Sequence, residues 1–224
     1  MATMMSTPLR IRSTEDHVYE ALRDQIVRGL PPLSQLRLTE IAAELEVSTM
    51  PVRVALRRLE AENLVVTLPR RGSHVAPLRV DDIEEIQTMR VRVEGLAANL
   101  GAPKVDDAGL SQMRKHLTAL RHAIAKNDID AYLIHGREFE DICYEAAGWP
   151  RLLRLVQEMR RAAERYLRIA VAGGGDAVLT PQFWERFYDA VAEHDGPKTE
   201  AVLSEALMWT LERVRVHLEE NERN

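Results

Sequence analysis

"LTEIAAELEVSTMPVRVALRRLEAENLV", residues 38–65, holds two short segments of helical period that meet at "EVS". In the first, Ile41, Ala42 and Leu45 share a face. In the second, Val52, Ala55, Leu56 and Leu59 follow the i, i+3, i+4, i+7 spacing of a buried stripe. The spacing predicts helices over 39–45 and 50–62, turned through Glu46, Val47 and Ser48, which are helix-turn-helix lengths. Ser48 stands where a side-chain oxygen accepts from the free N–H groups of the second helix. Pro51 falls in the first turn, where a missing N–H costs nothing. Thr49, Met50, Arg53 and Arg57 are left outside, near the helix N-terminus. A recognition helix offers this end to the major groove. There an arginine holds guanine O6 and N7 through two parallel hydrogen bonds. Ser48, Thr49 and the open N–H groups suit phosphates. The plainer alternative is a solvated helix face that happens to carry two arginines.

Working outward, "STEDHVYEALRDQIVRG" (13–29) predicts a first helix. Ser13 or Thr14 caps it, Glu15 and Asp16 lie in its positive first turn, Val18, Leu22 and Ile26 share a face, and Gly29 ends it. "LPPLS" (30–34) is a turn. Downstream, β-rich runs at 64–68 and 73–77 flank "PRRG", a hairpin signal. A hairpin directly after a helix-turn-helix makes a winged version, which is a more specific sign of DNA binding than two helices alone. Its tip, Arg70-Arg71-Gly72, can lie along the neighbouring backbone or reach into the minor groove. Arg37 and His74 complete the candidate DNA-contacting residues.

From residue 80 the periodicity is helical throughout, with helices expected near 81–102, 106–126, 128–146, 149–172, 181–193 and 197–222. Breaks are expected at Gly101-Ala102-Pro103 and Gly148-Trp149-Pro150, and a loop at "AGGGDAVLT" (172–180), with Thr180-Pro181 starting the next helix. The fold expected is therefore mainly α. It comprises an arm (1–13), a winged helix-turn-helix of three helices plus a β-hairpin (14–77), a linker (78–80) and an all-α bundle (81–224).

Composition narrows the function. Residues 1–79 hold 11 Arg, no Lys and 9 Asp or Glu, a net +2, while the rest of the 224-residue chain stands at −7. That split fits a nucleic-acid-binding end on an acidic body. No apolar run nears the roughly 18 residues of a membrane helix, and "MATMMSTPLRIRS" has no signal-peptide pattern, so a cytoplasmic protein with no membrane partner is expected. The single cysteine, Cys143, rules out an internal disulfide and a multi-cysteine zinc site. "AGGGD" lacks the Lys-Ser/Thr of a phosphate loop, and neither HExxH nor a serine elbow occurs, so an enzyme is not expected.

At "VYEALRDQIVRG" (18–29) and "LRLTEIAAELEVSTMPVRVALRRLEAENLVVTLPRRGSHV" (36–75) the chain strongly resembles the DNA-binding domain of the GntR family of bacterial transcription regulators. The helical part, from "IEEIQTMRVRVEGLAANLGA" (83–102) to "YEAAGWPRLLRLV" (144–156), resembles the FCD effector domain of the FadR subfamily, with Arg90 and Glu94 at matching positions. The resemblance spans 14–222. It implies a homodimer that reads a short inverted repeat in double-stranded DNA, usually as a repressor released by a small metabolite. Two departures touch the DNA-reading end. Where the family has "VSRTPVREAL", this chain has "VSTMPVRVAL", with Thr49 for the common arginine and Val54 for the common glutamate. Arg53 stays, so a changed operator sequence is expected rather than lost binding. Leu33 also stands where glycine is usual after the turn proline.

Many FCD domains hold a divalent metal through one Asp and three His. The resemblance places Gly136 at the Asp, Glu140 at the first His, and Trp184 and Ala206 at the other two. Only Glu140 keeps a donor, so no metal and no cofactor is expected. His116, His122, His194 and His217 show no shared ligand spacing, and His135, next to Gly136, points about 100° away from it. These read as ordinary surface or core histidines. With Trp184 beside the former ligand cavity, the pocket is expected to be small and apolar, either taking a hydrophobic effector or filled. Arg90 is the candidate anchor for an acidic effector, against the alternative of an i, i+4 ion pair with Glu94. Glu140, Trp184, Tyr132, Arg165 and Tyr188 are further effector candidates. A bundle that is only a dimerisation scaffold or docking face is the other reading of this half.

Overall fold

Ser13 starts the first helix, α1 (Thr14–Arg28), with a reciprocal cap in the computed structural model, which describes residues 13–172 and 181–222. Its hydroxyl accepts from the Asp16 N–H at 3.1 Å, and the Asp16 carboxylate accepts from the Ser13 N–H at 3.3 Å. The arm expected over 1–13 lies outside the described residues except for Ser13, the α1 cap, and the loop expected over 172–180, with its Thr180 cap, except for Ala172, which ends α7. Gly29, at φ 136°, ends α1.

A two-residue strand, β1 (Gln35–Leu36), follows, then α2 (Leu38–Glu44), α3 (Thr49–Ala61), β2 (Val65–Leu68) and β3 (Gly72–Val75). Val18, Leu22 and Ile26 of α1 pack with Ile41, Ala42, Val52, Ala55, Leu56, Leu59, Val65 and Val75 in one core. The sheet is antiparallel in the order β1-β3-β2. Strand β1 was not expected, because two residues carry no alternation; only its pairing of Gln35 with His74 and Leu36 with Ser73 defines it. Strand β3 stops at Val75 rather than 77, because the Ala76 N–H turns to the Leu64 carbonyl (3.0 Å) and Pro77 has no N–H. Ser48 does occupy the N-cap of α3, but its side chain makes no capping bond. The residue is exposed, so the free N–H groups of this helix end are not sealed from solvent.

The helical unit runs α4 (Val80–Gly101), a 3-10 turn (Ala102–Lys104), α5 (Asp107–Lys126), α6 (Ile129–Ala146), α7 (Pro150–Ala172), α8 (Pro181–Ala192) and α9 (Gly196–Glu222). Val80, read as linker, is the first residue of α4. Asp106 and Asp128 cap α5 and α6 by accepting from the Gly109 and Ala131 N–H groups. Asn127, left-handed at φ 52°, folds α5 back onto α6. Helix α4 packs against α9, α7 and α6. The core holds Ala97, Ala98, Met113, Leu120, Phe139, Tyr144, Val156, Phe187 and Leu203. The break expected at Gly101-Ala102-Pro103 is there: Gly101 is the last residue of α4 and the 3-10 turn follows. A Cβ on Gly101 would meet the Cys143 carbonyl oxygen at 1.9 Å, so it is glycine for close packing of α4 on α6 as well. The chain divides into compact units at 1–77 and 78–224. Among the described residues, no helix is long and apolar enough to cross a membrane.

Candidate functional site

Three arginines of α3 illustrate how the first unit sorts its charges. Arg58 is committed: its guanidinium lies 3.9 Å from the centre of the Tyr19 ring and donates to Asp16 at 2.8 Å. Arg53 and Arg57, one turn apart, are exposed. Among the described residues no hydrogen bond or ion pair engages either side chain. Met50, 64% exposed, and Thr49 stand beside them on the first turn, next to the uncapped end left by Ser48. Val52, Ala55, Leu56 and Leu59 on the opposite face hold this presentation rigidly.

The wing tip is built by backbone geometry. Arg70 and Gly72 both take positive φ (63° and 79°), which folds the three-residue connection between β2 and β3. Gln35 of β1 donates to the Arg71 carbonyl at 3.0 Å and ties the tip to the third strand. The Arg70 and Arg71 side chains are exposed and have no partner among the described residues. Two candidates are placed differently. Arg37 is held by Gln35 at 3.0 Å and Glu40 at 2.8 Å, an ordinary surface pair. The His74 ring Nδ1 lies 3.1 Å from the Gly72 carbonyl of its own strand.

In the helical unit, Arg90, Tyr132, Gly136, Glu140, Trp184 and Ala206 line one cavity of about 80 Å³. The four positions read as former metal ligands therefore do meet. Trp184 fills part of the space, and a Cβ on Gly136 would lie 3.0 Å from its ring. Leu133, Leu167, Phe183, Leu203 and Leu207 make the remaining wall largely apolar. The Trp184 Nε1–H is buried and has no acceptor among the described residues.

The polar end of the cavity is a closed ion network. Glu94, fully buried, accepts from Arg90 Nε at 2.5 Å, Arg160 Nε at 3.1 Å and the Tyr144 hydroxyl at 3.3 Å. Arg90 also donates to Gln87 at 2.9 Å, and Arg160 to Asp141 at 2.6 Å and to Glu140. Burial opposes the charge on Glu94, but Arg90 and Arg160 outweigh it and hold its carboxyl below the usual range. Burial dominates at Glu140 and pushes it up to about 7. The expected pairing of Arg90 with Glu94 and its place on the cavity wall thus hold together.

Arg165 and Tyr188 are corrected: neither lines this cavity. Arg165 is buried away from it on α7, and Tyr188 accepts from Arg114 at 2.9 Å beside α5. Arg160 was missed, although Leu152, Val156, Arg160 and Ala163 form one buried stripe and an arginine on such a stripe is a readable signal. Two of the histidines read as ordinary surface or core residues lie close together. His116 and His135, which share no sequence spacing, meet across α5 and α6 beside Glu138. Burial, and then Glu140, push the Cys143 thiol up to about 12, leaving an inert core thiol.

Residues 14–75 match the family described as bacterial regulatory proteins, gntR family, and residues 85–208 match the FCD domain. The chain belongs to the GntR family. This GntR regulator is 23% identical over 209 residues to the HTH-type transcriptional repressor RspR of Escherichia coli K12, covering 91% of this chain and 90% of that protein. A GntR-family transcriptional regulator from Pseudomonas syringae pv. tomato DC3000 superposes with a TM-score of 0.59 at 28% identity, over 93% of this chain and 87% of that one. Escherichia coli McbR/YncC shares the fold, with a TM-score of 0.76 at 20% identity over 93% and 100% of the chains. The regulator is a DNA-binding transcription regulator with a FadR-like FCD architecture, not an enzyme.

Proposed function

We propose that the regulator is a cytoplasmic homodimeric repressor that reads a short inverted repeat through Arg53 and Arg57 and is released by a small effector held in the helical unit. The observation that carries the DNA-reading part is the pair of uncommitted arginines on α3, when Arg58 beside them is bound to Tyr19 and Asp16. Free guanidinium forks are what base reading needs. Repression is carried over from the printed name of the RspR relative.

The cavity supports a particular effector chemistry. Arg90 and Arg160 are already neutralised by Glu94 and Asp141, so a free carboxylate gains less there than the sequence implied. The apolar wall favours a small, mostly hydrophobic molecule. We read no metal in the cavity: of the four family ligand positions only Glu140 bears a donor, and Arg160 holds it. The small volume also favours a second reading, a scaffold without effector.

The test is selection of genomic fragments by the purified protein at near-physiological salt, followed by sequencing. An inverted repeat that is no longer recovered with Arg53→Ala supports the proposal. Fragments of unrelated sequence that vanish as salt rises refute specific reading.

A further inference from the structure

We propose that His116, His135 and Glu138 form a binding site for a borderline divalent cation of the Zn²⁺ type, on the face of the α5–α6 hairpin outside the cavity. His116 comes from α5, while His135 and Glu138 lie three residues apart on one face of α6. The two Nδ1 atoms are 3.4 Å apart, and each faces the same Glu138 oxygen, at 3.3 Å from His116 and 3.2 Å from His135.

These three separations are the edges of one coordination polyhedron. For bonds of 2.0–2.1 Å, the ligand atoms of a tetrahedral zinc lie about 3.3–3.4 Å apart. The three donors stand at the corners of one triangular face of such a tetrahedron. One proton bridges two of these atoms at most, whereas a cation at their centre engages all three. The side chains are 25%, 33% and 50% exposed, so the fourth position opens to water. Two imidazoles and a carboxylate with no thiolate select Zn²⁺, Co²⁺, Ni²⁺ or Cu²⁺ over Ca²⁺ or Mg²⁺.

The site is separate from the cavity, whose lining contains none of the three residues. It is nevertheless coupled to it through α6, which presents Tyr132, Gly136 and Glu140 to the cavity. An ion here ties α6 to α5 and stiffens one wall of the cavity.

The experiment titrates untagged, metal-free full-length protein with Zn²⁺ by calorimetry and with Co²⁺ by visible absorption. One ion per chain is expected, with the intense visible bands of tetrahedral cobalt. His116→Ala and His135→Ala should each weaken binding by more than about tenfold, and Glu138→Gln should weaken it as well. Glu140→Gln should leave it unchanged. Circular dichroism checks that these half-exposed substitutions leave the helices intact, with His116→Gln as a second variant if the alanine form melts early. Binding that survives both histidine variants, binding lost on Glu140→Gln alone, or no binding at millimolar Zn²⁺ overturns the proposal.

Discussion

Arg53 and Arg58 lie on the same helix but do different work. If Arg53 reads a base, Arg53→Ala lowers specific affinity by about 1–3 kcal/mol with unchanged melting, measured by anisotropy on the selected operator and a scrambled duplex. Arg58→Ala instead lowers the melting temperature, through loss of the Tyr19 stack and the Asp16 pair. Leu33 offers a test of backbone strain. It stands 57% exposed at φ 63°, in the left-handed region that favours glycine. Leu33→Gly should therefore raise stability by about 0.5–1 kcal/mol in urea unfolding, because the left-handed penalty exceeds glycine's added chain entropy. Glu140 carries a proton in the fold that it releases when unfolded, since burial raises it from 4.5 to about 7. Its contribution is fully present below pH 4.5 and is lost as the pH rises through 7. Relative to wild type, Glu140→Gln should gain stability between pH 5 and pH 8. A difference independent of pH would place the proton elsewhere in the network.

At the scale of elements, α4 is positioned by what it lacks. A Gly101 Cβ would overlap the Cys143 carbonyl, so Gly101→Ala must push α6 away from α4, at a cost of about 1–3 kcal/mol or more in urea unfolding. The buried stripe of α3 was readable from spacing alone, since a 3.6-residue period marks which side of a helix is covered. Strand β1 was not readable, because its pairing with the distant β3, Gln35 with His74 and Leu36 with Ser73, defines it, not its own two residues. Ser48 shows the converse limit. Residue type and position predicted a cap, but at an exposed helix end the hydroxyl does without it.

For the whole molecule, the split between a basic first unit and an acidic second one favours a DNA affinity that falls with salt. The sensor and scaffold readings separate on melting. An effector selective for the folded state raises the melting temperature as its concentration passes Kd. Small acyl compounds and hydrophobic ketones, screened by thermal shift, should give such a rise. A flat response across the panel would favour the scaffold.

The amino-acid sequence by itself determined the helices, the winged helix-turn-helix and the outward placement of Arg53, Arg57, Arg70 and Arg71. Each follows from spacing along one segment or from a turn motif a few residues long. Tertiary structure alone decided that Arg160 joins Arg90 at Glu94, that Arg165 and Tyr188 stay off the cavity wall, and that His116 meets His135 and Glu138. Those outcomes depend on the register between helices. A helix period states which residues share a face, while the packing of whole side-chain sets, glycine contacts such as Gly101 on Cys143 included, selects the face it meets.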